Sequence, residues 1–235
     1  MPIETLFLDA GGVVVHPNWA RVAETLVRHG VPVDAPALAK ADLQAKHDLD
    51  VPEIVRSSSD DDRVDLYFSR VLVHADIARG RGTEAALLEL RRYHAENNLW
   101  EWVPDDVRPA LCRLRQMGLR LVMVSNANGT LHAHMQRLGL ASFFELMLDS
   151  YVEGLEKPDP RIFARALERA HAERATTVHV GDLLHVDVAG ARAAGIAAML
   201  FDPADLYGHA DCERVHSLDE LAARLAPRLA TPAQV

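Results

Sequence analysis

Thr5-Leu6-Phe7-Leu8-Asp9-Ala10-Gly11-Gly12 decides how this chain is read. A short apolar run ends at an acid, and a glycine pair follows. Such a run, bounded by turn residues, is the pattern of a strand buried on both faces, with a tight turn after it. Asp9 therefore stands at the carboxyl end of a buried strand, where open α/β sheets bind their ligands. Val13-Val14-Val15 continues briefly and stops at His16-Pro17.

Outward from there the pattern changes. From Asn18 to Val103 helical periodicity replaces short apolar runs. Val22, Leu26 and Val27 share a helical face that ends at Gly30, and residues 35–48, 66–77 and 84–95 read as further helices. Val51-Pro52 and the stretch Ser57–Asp62 read as loops, with Asp60-Asp61-Asp62 a solvated face.

After Pro104, strands and helices alternate. Val107, Leu111, Leu114 and Met117 line a helix face closed by Gly118. Residues 119–124, 146–148, 177–180 and 196–201 read as strands. Asp159-Pro160 supplies an N-cap and a first-turn proline to a helix that buries Ile162, Phe163, Ala166 and Leu167. Ser217-Leu218-Asp219-Glu220 matches a capping box. The expectation is a Rossmann-like α/β parallel sheet core built from residues 1–17 and 104–235. Residues 18–103 are an inserted all-helical cap that would act as a lid.

Composition narrows the function. The 235 residues carry a net charge of −9, with hydrophobic residues at 49%, so an ordered enzyme-sized core is expected and a phosphate backbone is repelled. No nucleic-acid partner is expected. No apolar run reaches the roughly 18–20 residues of a membrane span, and the N-terminus lacks the basic and apolar regions of a signal peptide. A cytoplasmic location is expected, as monomer or homodimer. Cys112 and Cys212 form no paired motif, and Cys112, inside a helical stretch, reads as a buried thiol.

Polar residues then fall where strands end: Asp9, Ser125, Lys157 and Gly181-Asp182. Together they supply an acid, a hydroxyl, an ammonium and a second acid. That set suits a dianionic phosphate beside a divalent cation, since carboxylate oxygens are the hard ligands Mg²⁺ takes, with waters completing its shell.

In order along the chain, Asp9-Ala10-Gly11-Gly12-Val13, Ser125-Asn126, Lys157-Pro158-Asp159-Pro160-Arg161-Ile162-Phe163 and Gly181-Asp182 with Asp187 and Gly190-Ala191-Arg192-Ala193-Ala194-Gly195 resemble the four motifs of the haloacid dehalogenase superfamily. The helical insertion sits where that family carries its cap. The resemblance implies that Asp9 is the nucleophile, forming an aspartyl ester. Ser125 would bond the transferred group and Lys157 would neutralise it. Asn126 and Gly12 would contact substrate. Asp9, Asp182, Asp187 and the Gly11 carbonyl would surround Mg²⁺, Asp187 directly or from behind. The substrate implied is a small phosphorylated molecule.

One position departs from the family. Its phosphatases carry a second aspartate two residues after the nucleophile as general acid and base, and here that residue is Gly11. Three readings follow. A phosphatase working without that group leads. A dehalogenase- or phosphonatase-like hydrolase acting at carbon is the alternative, the latter needing Lys40 or Lys46 as a Schiff base. A catalytically degenerate domain that only binds is the third. His16 is a candidate replacement proton donor set against a solvated loop histidine. Lys40, Lys46 and Arg56 are candidate cap contacts. Trp100 and Trp102 read as packing residues. His132 and His134, two apart on a helix, point different ways.

Overall fold

The computed structural model describes residues 2–57 and 60–229, and for residues 60–63 the backbone alone. The chain divides into two compact units, one of residues 1–15 with 103–235 and one of residues 16–102.

The chain enters by β1 (Thr5–Leu8) and passes to the second unit. Its described elements are the helices α1 (Trp19–Arg28), α2 (Ala35–Leu49), α3 (Pro52–Ser57), α4 (Asp60–His74) and α5 (Arg81–Asn97). Trp19, Leu26, Leu38, Ala45, Val71, Ala86 and Leu90 form its buried core. Asp34 caps α2 by accepting the Ala37 N–H at 2.8 Å. His16 and Trp102, at the unit's two ends, pair as an antiparallel bridge.

Local chemistry overrode the sequence in three places here. Pro52, expected in a loop, opens α3, where its missing N–H costs nothing. Within the expected Ser57–Asp62 loop, Ser57 ends α3 and residues 60–62 begin α4. Residues 58 and 59 and the solvated face expected of Asp60-Asp61-Asp62 lie outside the described residues. Val27 does not join the buried face of Val22 and Leu26. It follows Leu26 directly, is rotated off that stripe and is 54% exposed.

The first unit continues with α6 (Val107–Gln116), β2 (Arg120–Ser125), α7 (Leu131–Arg137), β3 (Leu146–Asp149), α8 (Ser150–Glu153), α9 (Pro160–Ala170), β4 (Thr177–Gly181), α10 (Ala189–Ala193), β5 (Ala197–Phe201), β6 (Glu213–Val215) and α11 (Leu218–Leu225). The six strands form one parallel sheet in the order β3-β2-β1-β4-β5-β6. The fold is α/β and Rossmann-like. The chain builds outward on one side of β1 and then on the other, so β1 and β4 flank the topological switch point, where such sheets hold ligands.

Phe7, Val122, Leu148, Ile162, Phe163 and Ala191 pack as one core against the sheet. Each large apolar side chain buried there is worth about 1.5–3 kcal/mol. Two short elements, α8 and β6, had no sequence signal. Cys112 is exposed rather than buried, since α6 buries Leu111 and Leu114 and turns the intervening residue outward. Ser217 caps α11 by accepting the Glu220 N–H at 3.0 Å. No helix of the described residues is long and apolar enough to cross a membrane.

Candidate active site

Strand register brings the motifs together. Leu8 is level with Val180 on one side and with Met123 on the other. Asp9 therefore leaves the sheet beside Gly181-Asp182, with Ser125 at the end of the other neighbour. The Asp9 N–H donates to the Val180 carbonyl at 2.9 Å, which fixes the backbone under the side chain. The turn closes on itself. Val14 and Val15 N–H groups both donate to the Ala10 carbonyl at 2.9 Å, and the Gly12 N–H donates to the Val15 carbonyl at 2.8 Å. Gly12, at φ 79°, occupies the left-handed region that favours glycine, while Gly11 is not at a positive φ. The expected substrate contact from Gly12 meets a backbone N–H already engaged.

Lys157 is the centre of the site. It is 1% exposed, yet charged. Its Nζ lies 2.7 Å from Asp9 Oδ1 and 2.7 Å from Asp187 Oδ1. The contact to Asp187 is an aligned hydrogen bond. The contact to Asp9 is close, but Asp9 Oδ1 has no well-aligned donor. We read it as an ion pair, since 2.7 Å between opposite charges is attractive at any angle. Burial alone would lower the Lys157 pKa, but the two carboxylates hold it above the ordinary lysine value.

Asp187 is held from four directions. Oδ1 accepts from Lys157 and faces His179 Nε2 at 3.0 Å, and Oδ2 accepts the Leu183 N–H at 3.1 Å. Gly181 forms the fourth wall, because a Cβ there would fall 2.1 Å from Asp187 Cγ. Burial opposes its charge, but Lys157 and His179 together pull the Asp187 pKa well below the ordinary carboxylate value. Both of its oxygens accept from protein partners, which ties Asp187 to Lys157 and His179.

Asn126 was expected to touch substrate. Its side chain instead brackets the Lys157 backbone: Oδ1 accepts the Lys157 N–H at 2.7 Å and Nδ2 donates to the Lys157 carbonyl at 3.0 Å. The loop carrying Asn126 is seated on the end of β3. Asp149 accepts N–H groups from Gly129, Leu131 and Tyr151, and Ser150 Oγ exchanges bonds with both sides of Ala127. Ser125 is buried and level with Asp149 in the sheet.

Asp9, half-buried Asp182 and Asp187 place one carboxylate oxygen each within 4.8 Å of one another. Burial, reinforced by Asp187 and Asp182 and opposed by Lys157, raises the Asp9 pKa to about 6. Carboxylates gathered this closely supply the hard oxygen donors that suit a divalent cation, which would relieve both the repulsion and the burial.

The remaining expectations resolve locally. Burial, with Lys46 adding, holds the His16 imidazole down at about 3, so it is neutral near pH 7. Lys46 Nζ is 4.0 Å from Asp42, Arg56 pairs with Glu53 at 3.3 Å, and Lys40 is exposed. His134 is buried and His132 exposed, as their spacing requires. Trp100 packs on Tyr67 and Phe68, and Trp102, 53% exposed, lies edge-on to His16. The sequence reading missed His179, Asp149 and Ser150. Each lies inside or next to a strand and looks like an ordinary core or cap residue until its partners are seen.

Comparison with known proteins agrees with this geometry. Residues 3–195 match the model of a family described as haloacid dehalogenase-like hydrolase. The human haloacid dehalogenase-like hydrolase domain-containing protein 3 is 41% identical over 101 residues, 43% of this chain and 40% of that one. The ribulose-1,5-bisphosphate 5-phosphatase of Halopiger xanaduensis is 33% identical over 141 residues, 60% of this chain and 58% of that one. The chain thus spans about half the length of these curated relatives. Among solved structures, a 2-haloacid dehalogenase from Pseudomonas syringae pv. Tomato DC3000 superposes with a TM-score of 0.60 at 28% identity, over 96% of this chain and 99% of that one.

Proposed function

The chain belongs to the haloacid dehalogenase-like hydrolase family, and from that premise we propose that it is a hydrolase, a Mg²⁺-dependent phosphatase of a small phosphorylated metabolite with Asp9 as nucleophile. One observation carries the reading: a buried ammonium, Lys157, 2.7 Å from the Asp9 carboxylate and backed by a second buried acid. A phosphate dianion entering beside Asp9 would meet that positive charge. The phosphatase named above is a relative whose printed activity is of this class.

In this reading an Asp9 oxygen attacks phosphorus, the ester oxygen departs, and the phosphoryl group becomes an aspartyl phosphate. Water then releases inorganic phosphate and restores Asp9. Lys157 neutralises charge on Asp9 and on the phosphoryl oxygens, and Ser125 donates to them. Asp9, Asp182 and the Gly11 carbonyl would hold Mg²⁺, with Asp187 behind Lys157. The ion would supply neutralisation of the charge shared between nucleophile and phosphate. Residues 18–103 are assigned as the cap. Nothing at position 11 delivers a proton, so the leaving oxygen must depart largely unassisted. Activity at carbon, as in dehalogenase- or phosphonatase-like relatives, is the second reading. The glycine at position 11 keeps it in play, and the carboxylate cluster around Asp9 favours the metal-dependent one.

The test is a panel of phosphorylated metabolites and haloacids, with Mg²⁺ or with EDTA, scored for phosphate and halide. Phosphate release that needs Mg²⁺ and disappears in Asp9→Asn supports the proposal. Halide release in EDTA, or no dependence on Asp9, overturns it.

A further inference from the structure

His179 is fully buried in the centre of the sheet, on β4, between Phe7 of β1 and Ala198 of β5 in register. A polar ring is costly there unless it is bonded. Residues two apart on a strand share a face, so His179 and Gly181 point to the same side. That is the side on which the Asp187 side chain lies, packed over Gly181 and 3.0 Å from His179 Nε2. The other ring nitrogen, Nδ1, has no partner. Asp187 is an acceptor held as a carboxylate, so the proton sits on Nε2 and the bond runs from His179 to Asp187. Phe163 also packs on the ring, edge-on at 4.9 Å between ring centres.

These contacts join into one buried row: His179 Nε2, Asp187 Oδ1, Lys157 Nζ, Asp9 Oδ1. Resting on the role proposed above for Lys157, we propose that His179 is a positioning residue of the active site. It fixes the rotamer of Asp187, and Asp187 in turn fixes where the Lys157 ammonium is presented to Asp9 and to the phosphoryl group. A core residue kept only for its volume would be replaceable by an apolar ring. A positioning donor is replaceable by another donor of equal reach.

The two roles separate in a pair of variants. His179→Phe keeps the ring and its contact with Phe163 but has no donor. His179→Gln loses the ring but carries an amide N–H at similar reach. The chain has only three lysines, Lys40, Lys46 and Lys157. Of these Lys157 is buried, so in ¹H–¹⁵N spectra of the side-chain ammoniums its signal exchanges slowly and is assigned by its loss in Lys157→Met. The expected result is that His179→Gln keeps this signal and His179→Phe shifts it or exchanges it away. With the aryl phosphate p-nitrophenyl phosphate, kcat should fall about 10–100-fold in His179→Phe, the usual effect of removing a group that orients a ligand. It should stay within a few-fold in His179→Gln. The half-saturating Mg²⁺ concentration should change little in either. An unchanged Lys157 signal in His179→Phe overturns the proposal, as does equal loss of signal in both variants. If the wild type releases no phosphate at all, the phosphatase reading fails on its own, and the ammonium spectra still decide the role of His179.

Discussion

Asn126 holds Lys157 by both backbone polar groups of that residue, accepting its N–H at 2.7 Å and donating to its carbonyl at 3.0 Å. The lysine side chain is thereby positioned from its backbone as well as from its ammonium. These bonds tie the loop after β2 to the segment between α8 and α9. Asn126→Ala should remove both bonds while leaving Asp9, Asp187 and the metal ligands untouched. Leaving a buried backbone group of Lys157 unsatisfied should cost about 1–3 kcal/mol. Misplacing Lys157 by an ångström should cost up to about 10²-fold in kcat. Urea unfolding and phosphate-release kinetics measure the two, and wild-type kcat in Asn126→Ala would contradict the role.

Asp187 and Lys157 form a buried pair, and exposed pairs elsewhere offer a control. Asp187→Ala leaves a buried ammonium with Asp9 alone, so a loss of about 3–5 kcal/mol is expected. Arg113→Ala breaks a pair with Asp219 in which both side chains are more than half exposed, and should cost about 0–1 kcal/mol. Urea midpoints of the two variants should differ accordingly. Similar midpoints would mean that the buried pair does not stabilise this state.

Gly181→Ala adds a methyl 2.1 Å from Asp187 Cγ, closer than any real contact. Gly181 has no positive φ, so the strain is one of space alone. Asp187 must leave its seat, taking with it the acceptor for Lys157 and His179. Overpacking of this kind costs about 1–3 kcal/mol, and activity should fall with it. A crystal structure of the variant with Asp187 in place would refute this account.

How much of this was legible beforehand follows from what each residue does. Lys157 was visible from its Pro-Asp-Pro context, while Asp9, Ser125 and Asp182 sit at or just past strand ends, which are visible as breaks in apolar runs. The parallel sheet was visible for the same reason. Gly181 was visible as a motif residue, but its reason was not, because the space it leaves is filled by a residue six positions later. Asn126 was assigned to substrate because a polar residue after a catalytic serine faces a ligand as readily as a neighbouring loop. His179 was invisible, since a histidine inside Thr177-Val178-His179-Val180 reads as strand filler until Asp187 is folded over it. Short β6 and α8 carry too few residues for any periodicity.

Acid titration should expose the Asp9 cluster. In the metal-free protein the folded Asp9 pKa, about 6, lies above its ordinary value of 3.8. The folded state therefore holds the proton more tightly than the unfolded chain. Asp9's contribution to stability is greatest below pH 3.8 and is lost as pH rises through 6. Asp9→Asn has no such charge. In EDTA, the Tm of wild type relative to Asp9→Asn should fall between about pH 4 and pH 6 and then level off. Saturating Mg²⁺ binds the ionised form and should abolish that fall. Parallel curves in EDTA would show that Asp9 does not titrate in this window.

The last prediction turns on Gly11. Positioning and electrostatics carry most of phosphoryl transfer, so Asp9, Lys157 and Mg²⁺ should support some hydrolysis without a general acid. His16 is held neutral near pH 7, so it offers no imidazolium as general acid. The rate should then depend steeply on the leaving group. Aryl and acyl phosphates release weak bases and should react. Alkyl phosphates should be slower by about 10²–10⁴-fold, the usual worth of general acid–base catalysis. Gly11→Asp places a carboxyl two residues after the nucleophile, where the family's phosphatases carry theirs. Gly12, not Gly11, holds the positive φ of this turn, so the backbone at position 11 does not demand glycine. The variant should therefore fold, which a Tm within a few degrees of wild type would confirm. It should speed alkyl phosphates far more than aryl ones, because only the poor leaving group needs the proton. Equal acceleration of both classes would place the limiting step after the leaving group departs, in hydrolysis of the aspartyl phosphate. Wild-type hydrolysis of an alkyl phosphate at aryl rates would show that another group already delivers the proton.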